Sequence, residues 1–297
     1  MLGEMNRYAS VIPTPPGGST YTDSNGATAP IPKGFEVSTE AGENIVDEGL
    51  VIKNSTDANE FVWIPVYNMD TMVVKNNGVW GRLYALESGN NFNTNLVAQT
   101  YSSGSILREP DILADYDEIA TNFSSNLVMK NGTASFIANG AEFKTQLEEE
   151  FNAMIASVTK YQGFYVGRYE TSLNGTIAQS QKNKTVMTNI NWYKMYQNQK
   201  SLETDSVVSG MIWGCQFDQA LKFVEKAGHN IIDSRTWGNH LDSESPADVA
   251  GVGTLQNSGF SEYWKACNIY DLAGNVFDWT MEAKGSGVRV GRRGETQ

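Results

Sequence analysis

The residues best suited to chemistry lie in one segment, Asn268–Glu282, which reads Asn-Ile-Tyr-Asp-Leu-Ala-Gly-Asn-Val-Phe-Asp-Trp-Thr-Met-Glu. Apolar and polar residues alternate in it, and Gly274 stands where the backbone must turn sharply. Asn275 and Asp278 offer amide and carboxylate oxygens, and Ca²⁺ takes about six to eight such oxygens, often on an irregular loop. The pattern indicates a calcium site, with the alternative that both side chains only accept backbone N–H groups at a tight turn.

The same residues carry a family resemblance. The run from Gly274 to Trp279 resembles the glycine-asparagine-x-tryptophan-glutamate-tryptophan signature of the formylglycine-generating enzyme (sulfatase-modifying factor) family, with Phe277 and Asp278 where Trp and Glu are commoner. The resemblance implies an α+β protein with a C-type-lectin-like fold. It also implies that the side chains of Asn275 and Asp278 bind calcium.

Three further blocks resemble the family, so that the similarity covers residues 61–282 discontinuously. Phe61–Val66 is an apolar run around an isoleucine-proline pair and is similar to the family's opening strand. Tyr161–Thr171 resembles its strand ending in tyrosine-glutamate-x-threonine, and Met211–Val224 resembles its tryptophan-x-x-alanine helix. These blocks imply twisted antiparallel strands with two flanking helices and long loops.

Periodicity predicts the elements that must position the signature. A hairpin is expected in residues 35–52, where short apolar pieces alternate with turn residues, followed by a strand at 61–66 that Pro65 places at a strand end or a sheet edge. A helix is predicted over 141–159 because its apolar residues recur at helical spacing: Phe143, Leu147, Phe151, Met154, Ile155 and Val158. A short helix is expected around Trp192, and another after residue 211, ended by Gly228.

Composition divides the chain into an arm and one domain. Residues 1–33 contain five prolines and many Gly, Ser, Thr and Asn residues, which predicts a flexible arm. Residues 34–297 are expected to form a single domain, with a polar surface insertion at about 76–140. Val288–Gly294 resembles the start of the strand that follows the family signature, and the chain stops at Gln297. The domain is therefore expected to be incomplete at its C-terminus.

Charge and hydropathy restrict the partners. With 22 basic and 34 acidic residues the net charge is -12, which repels phosphate backbones, so no nucleic-acid partner is expected. No run approaches the ~20 apolar residues of a membrane span, and the first ten residues lack a signal-peptide pattern. We expect no membrane insertion.

The expected chemistry of the family is incomplete in this sequence. Formylglycine-generating enzymes act through a cysteine pair after the signature, whereas Cys215 and Cys267 both precede it and either pair or stay free. Iron enzymes of the same fold use several histidines, but His229 and His240 have no neighbour at ligand spacing. We therefore predict no catalytic residues.

The expected function is that of a non-catalytic member, a ligand-binding or display protein for an unidentified protein or carbohydrate. Such domains occur on bacterial surfaces, in phage receptor-binding proteins and among the variable proteins of diversity-generating retroelements, and loops rich in Asn, Ser, Gly and Tyr fit that use. The alternatives are an oxidase of the formylglycine-generating type and a purely structural surface or pilus protein.

Overall fold

The structure is a computed structural model that describes residues 12–13, 18–76, 79–82, 84–86, 96–98, 140–204, 206–246, 249–283 and 289–292. This part of the chain is of the α+β class, with three α-helices and several small antiparallel sheets. The helices are α1 (Gly140–Tyr161), α2 (Trp192–Lys200) and α3 (Gly214–Lys226).

The strands of the described part are short. They are β1 (Ile12–Pro13), β2 (Ser19–Thr22), β3 (Thr28–Ile31), β4 (Phe35–Val37), β5 (Val51–Asn54), β6 (Glu60–Pro65), β7 (Val73–Asn76), β8 (Val79–Arg82), β9 (Tyr84–Leu86), β10 (Leu96–Ala98), β11 (Gly163–Gly167), β12 (Ser172–Asn174), β13 (Ile177–Gln179), β14 (Val207–Val208), β15 (Lys265–Ala266), β16 (Ile269–Tyr270), β17 (Asp278–Ala283) and β18 (Arg289–Arg292). Short 3₁₀ helices lie at Val46–Glu48, Met69–Thr71 and Glu262–Trp264.

A four-stranded antiparallel sheet in the order β11-β6-β5-β4 forms the centre of the fold. The predicted hairpin is confirmed by the pairing of β4 with β5, and the predicted strand by β6. Strand β11 pairs over its whole length with β6, from Phe61 opposite Gly167 to Pro65 opposite Gly163. Pro65 ends β6, which follows from its missing N–H group.

Both faces of this sheet are buried. Along β6, Val62 and Ile64 join the larger core cluster with the helices, whereas Phe61 and Trp63 join a second cluster on the other face. This alternation is the period of two expected of a strand. An apolar run without polar alternation therefore requires cover on both sides of the sheet.

Helices cover the first face. The predicted helix at 141–159 is confirmed as α1, which packs against β11, and α3 packs against β6. Helix α2 confirms the short helix expected near Trp192, so the described residues form three helices, whereas the family resemblance implied two. Helix α3 is followed by Gly228 with φ +99°, the left-handed conformation that glycine adopts after a helix end.

The second face is covered by part of the predicted arm. Strands β2 and β3 pair as a hairpin, and Ala29 and Ile31 are buried in the second cluster with Trp63 and Tyr165. The hydroxyl of Tyr165 donates a hydrogen bond to the carbonyl of Pro30 at 3.0 Å. Residues 19–31 are thus packed in the folded domain rather than part of a flexible arm, because the apolar second face of the sheet requires their burial.

Most of the predicted insertion at 76–140 lies outside the described residues. Its described strands are β8, which pairs antiparallel with the preceding β7, and β9, which pairs antiparallel with β10. No helix in the described part of the chain is both long and apolar enough to span a membrane.

A buried arginine joins the sheet to the segment that contains the signature. Arg168 directly follows β11, and its guanidinium donates to Glu43 and, at 2.9 Å, to Glu60. The carbonyl of Arg168 accepts the N–H of Tyr270 at 2.9 Å. Although burial alone would raise the pKa of Glu43, the hydrogen bonds from Arg168 and Ser38 hold that pKa below its ordinary value.

Replacing Arg168 tests how much this ion pair contributes. Arg168→Met leaves Glu43 and Glu60 close together without their cation, so we expect a loss of about 3–5 kcal/mol in the free energy of unfolding, measured in urea. The matched control is Lys222→Met, which removes a more exposed pair with Glu225 and should cost no more than about 1 kcal/mol. Equal losses in the two variants would show that Arg168 is not the structural cation inferred here.

The lowered pKa of Glu43 predicts a pH dependence. A carboxyl whose folded pKa is depressed stabilises fully above its unfolded pKa of about 4.3 and loses this contribution as pH falls through the folded pKa. Glu43→Gln lacks that contribution, so the difference in melting temperature from the natural protein should shrink between about pH 6 and pH 3. Glu36→Gln, on the exposed side of β4, should show no such change. A pH-independent difference for Glu43→Gln would contradict the coupling.

Candidate functional site

The backbone around the signature is turned repeatedly. Between residues 267 and 275, five φ angles are positive: +47° at Cys267, +65° at Asn268, +54° at Asp271, +81° at Gly274 and +56° at Asn275. Asn, Asp and Gly tolerate this conformation better than other residues do. The expected sharp turn at residue 274 is therefore present within a longer irregular segment.

Gly274 is required by close packing as well as by its φ angle. A Cβ atom there would lie 2.3 Å from the backbone oxygen of Asn239. The two chain segments are joined in parallel at this point, since Asn239 N donates to the carbonyl of Ala273 and Asn275 N donates to the carbonyl of Asn239. The signature is thereby attached to the loop that follows α3.

The side chain of Asn275 is saturated by protein partners. Its Oδ1 accepts the N–H of Gln256 at 2.9 Å and the amide of Asn239 at 3.2 Å. Its Nδ2 donates to Oε2 of Glu170 and, at 3.3 Å, to the carbonyl of Gln256. Rotating the amide by 180° would set donors against donors, so the network fixes its orientation.

This geometry does not fit calcium ligation by Asn275. The side-chain oxygen that a cation needs already points at two N–H groups, which carry partial positive charge. The arrangement is the one expected from the alternative interpretation, in which the amide satisfies backbone groups at a turn. Asp278 lies at the start of β17 and is buried, and its ligation of calcium stays a prediction of the resemblance.

The loop at residues 253–260, called here the clamped loop, is held by four buried polar side chains. Asn239 accepts the N–H of Gly253 at 2.7 Å and donates to the carbonyl of Thr254 at 2.9 Å. The remaining contacts are those of Asn275 with Gln256, of Asp271 with the N–H of Gly259, and of Ser258 with residues 181–184. The loop has no regular secondary structure, yet most of its backbone is fixed.

Apolar side chains project from this region. Seven large apolar side chains are exposed in the described part of the chain, and four of them lie within residues 241–263. Leu241 is 70% exposed, and Leu255, Phe260 and Tyr263 are each nearly half exposed. The polar side chains thus point inward to fix the backbone while these apolar ones face solvent, which reverses the usual arrangement.

The thiols are not arranged for metal or redox chemistry. Cys215 and Cys267 are both free thiols. Of the two alternatives that the sequence left open, a disulfide between them and two free cysteines, the structure has the second. Burial, with a further contribution from Glu48, raises the pKa of the Cys267 thiol to about 11, so it is protonated at neutral pH. Cys215 is buried in α3.

The histidines are built into the fold. His229 follows α3, and its ring lies 5.4 Å from that of Trp237. Burial lowers the pKa of His229, so its charged form contributes little at neutral pH. The ring Nε2 of His240 lies 2.8 Å from Ser234 Oγ, but both side chains are buried, so this pair fastens the 234–240 turn and is closed to a substrate.

Comparison of the chain with protein-family models, with curated proteins and with solved structures found no match. The similarity to the sulfatase-modifying factor family therefore rests on the quoted residues alone. The candidate site rests on the contacts of the clamped loop.

The clamping role of Asn275 predicts a calcium-independent defect. Asn275→Asp replaces the amide that donates to Glu170 by a second buried carboxylate. We therefore expect the free energy of unfolding to fall by about 1–3 kcal/mol or more. The melting temperature should fall equally in calcium chloride and in chelator. Asn257→Asp, on the exposed side of the same loop, should have a free energy of unfolding within about 0.5 kcal/mol of that of the natural protein. Recovery of Asn275→Asp by calcium alone would restore the calcium assignment.

Proposed function

We propose that the protein is a non-catalytic ligand-binding or display domain of the sulfatase-modifying-factor type, with a C-type-lectin-like fold, and that it acts at a bacterial surface or on a phage particle. The ligand surface is the clamped loop together with Leu241 and Tyr263. Its ligand is a protein or a carbohydrate.

The observation that carries this proposal is the combination of a fixed irregular backbone with exposed apolar side chains. A loop that is already ordered loses little conformational entropy when it binds. Leu255 and Phe260 lie on backbone held by Asn239, Asn275 and Asp271, and so keep their positions without a ligand. Exposed apolar side chains concentrated on one loop region are typical of an interaction surface.

The state of the cysteines favours binding over oxidation. Copper-thiolate chemistry requires thiolates that can reach a metal, whereas Cys215 is buried and burial raises the pKa of Cys267 to about 11. The two residues also lie in different elements, α3 and the turn after β15, and do not form a pair.

The test is a ligand screen with matched surface variants. Leu255→Ser with Phe260→Ser removes two apolar side chains of the loop, and Leu173→Ser with Ile177→Ser removes two equally exposed ones on the β12–β13 hairpin. Both double variants should keep the melting temperature of the natural protein within a few degrees, because the replaced side chains are exposed. The natural protein is screened on a glycan array and on a panel of purified bacterial surface proteins.

We expect any ligand found in the screen to lose at least about tenfold in affinity with the loop variant and to keep its affinity with the hairpin variant. Unchanged affinity of the loop variant would reject the loop as the ligand surface. Conversion of a sulfatase-type cysteine peptide to formylglycine by the copper-loaded protein would reject the non-catalytic assignment.

A further inference from the structure

A glutamate beside the clamped loop is bound by three donors, of which one is 80 residues away in the chain and two are close to it. Glu262 lies on the 3₁₀ helix that follows the loop. Its Oε1 accepts Lys182 Nζ at 2.8 Å and the hydroxyl of Tyr270, and its Oε2 lies 2.8 Å from Lys265 Nζ. Each carboxylate oxygen therefore has its own ammonium group.

The two lysine donors lie over the aromatic ring of the third donor, Tyr270. The ring of Tyr270 is buried and stacks on Tyr169, with centroids 5.0 Å apart and an interplanar angle of 24°. Three cations surround the Tyr270 ring at 5.1 to 5.5 Å from its centroid, namely Lys182, Arg168 and Lys265. In a chain of net charge -12, this is a local concentration of positive charge on an aromatic face.

The two sides of this contact differ in exposure. Tyr270 is 2% exposed and lies in β16, which pairs with β15, whereas the Glu262 side chain is 60% exposed. The lysines lie between these extremes, at 49% for Lys182 and 29% for Lys265. The donors thus form the inner, fixed half of the contact and the carboxylate forms its outer half.

Burial alone would raise the pKa of Glu262, but the hydrogen bonds from Lys182, Lys265 and Tyr270 outweigh it and lower that pKa to about 2. Burial and the nearby Glu262 carboxylate raise the pKa of Tyr270, so its hydroxyl keeps the proton that it donates. The donor set therefore favours an anion at any pH near neutrality.

We propose that Lys182, Lys265 and Tyr270 form a binding site for a carboxylate of a protein ligand, and that Glu262 fills this site until an Asp or Glu side chain of the ligand displaces it. Its use in ligand recognition rests on the proposed function. Phe260 and Tyr263, exposed and close to Glu262 in the chain, supply apolar contact beside the charged group. The expected ligand feature is an acidic residue next to an apolar one.

The geometry of the present occupant favours a carboxylate over other anions. Two ammonium groups address the two oxygens of one planar group, and the hydroxyl of Tyr270 adds a second donor to one of them. The guanidinium of Arg168, which would suit a phosphate or sulfate, is already paired with Glu43 and Glu60.

The experiment removes the Glu262 carboxylate from the site and offers acetate in its place. In Glu262→Ala, sodium acetate should raise the melting temperature by about 2–4 °C at roughly ten times its Kd, relative to sodium chloride of equal ionic strength. The natural protein should show no acetate-specific change, because its own glutamate occupies the site. Glu225→Ala, which vacates a single-lysine pair on α3, is the matched control and should show none either.

Two further measurements complete the test. Lys182→Met in the Glu262→Ala background should abolish the acetate effect, and Glu262→Ser should reproduce it if the alanine variant folds poorly. The absence of an acetate-specific rise in both Glu262 variants, or an equal rise in Glu225→Ala, would overturn the site. A larger rise with sodium sulfate than with acetate would overturn the carboxylate assignment.

These outcomes are separable from those of the ligand screen. If acetate has no specific effect, the proposed carboxylate site is rejected, but the proposed ligand surface on the clamped loop is not affected. If acetate stabilises Glu262→Ala but the Leu255 and Phe260 double variant keeps its ligand affinity, the carboxylate site is supported and the loop is rejected as the ligand surface.

Discussion

Irregular backbone can be buried only when its N–H and C=O groups find partners, and the second half of this chain depends on that requirement. Asn239, Asn275 and Asp271 supply the partners for the clamped loop, and Asn268 supplies them for the carbonyls of Gly42 and Gly49. These short side chains hold loop, turn and sheet together where no ladder of regular hydrogen bonds is available. The exposed apolar side chains keep their positions because of this polar interior.

The regular elements were predictable because their signals are local. The alternation of Phe61 to Ile64, the helical spacing in α1 and the glycine after α3 each act within a few residues, so periodicity and turn chemistry located them. The class, α+β, follows from these elements. The cover of the second face of the sheet was not predictable, because the hairpin of residues 19–31 is mostly polar and its burial is dictated by Trp63 and Tyr165.

The candidate site was predictable in its residues but not in their orientation. The sequence indicates that Asn275 carries oxygen and nitrogen at a turn, yet only the fold brings the N–H groups of Gln256 and Asn239 to that oxygen. Asn239 and Ser258 were missed because nothing in a loop of Gly, Ser and Asn residues distinguishes the clamping ones. The Lys182–Glu262 pair was missed because it spans 80 residues of chain, and Lys265, three residues after Glu262, gave no signal without it.

The bonds from Asn268 to Gly42 and Gly49 close loops of 226 and 219 residues. Contacts so distant in sequence form late, since closing long loops slows folding. Gly42 and Gly49 lie in the connection between β4 and β5, which is synthesised well before β11 and Asn268. The loop between β4 and β5 therefore stays without this partner until at least 219 further residues have been synthesised, which lengthens the time in which its neighbouring strands can pair wrongly.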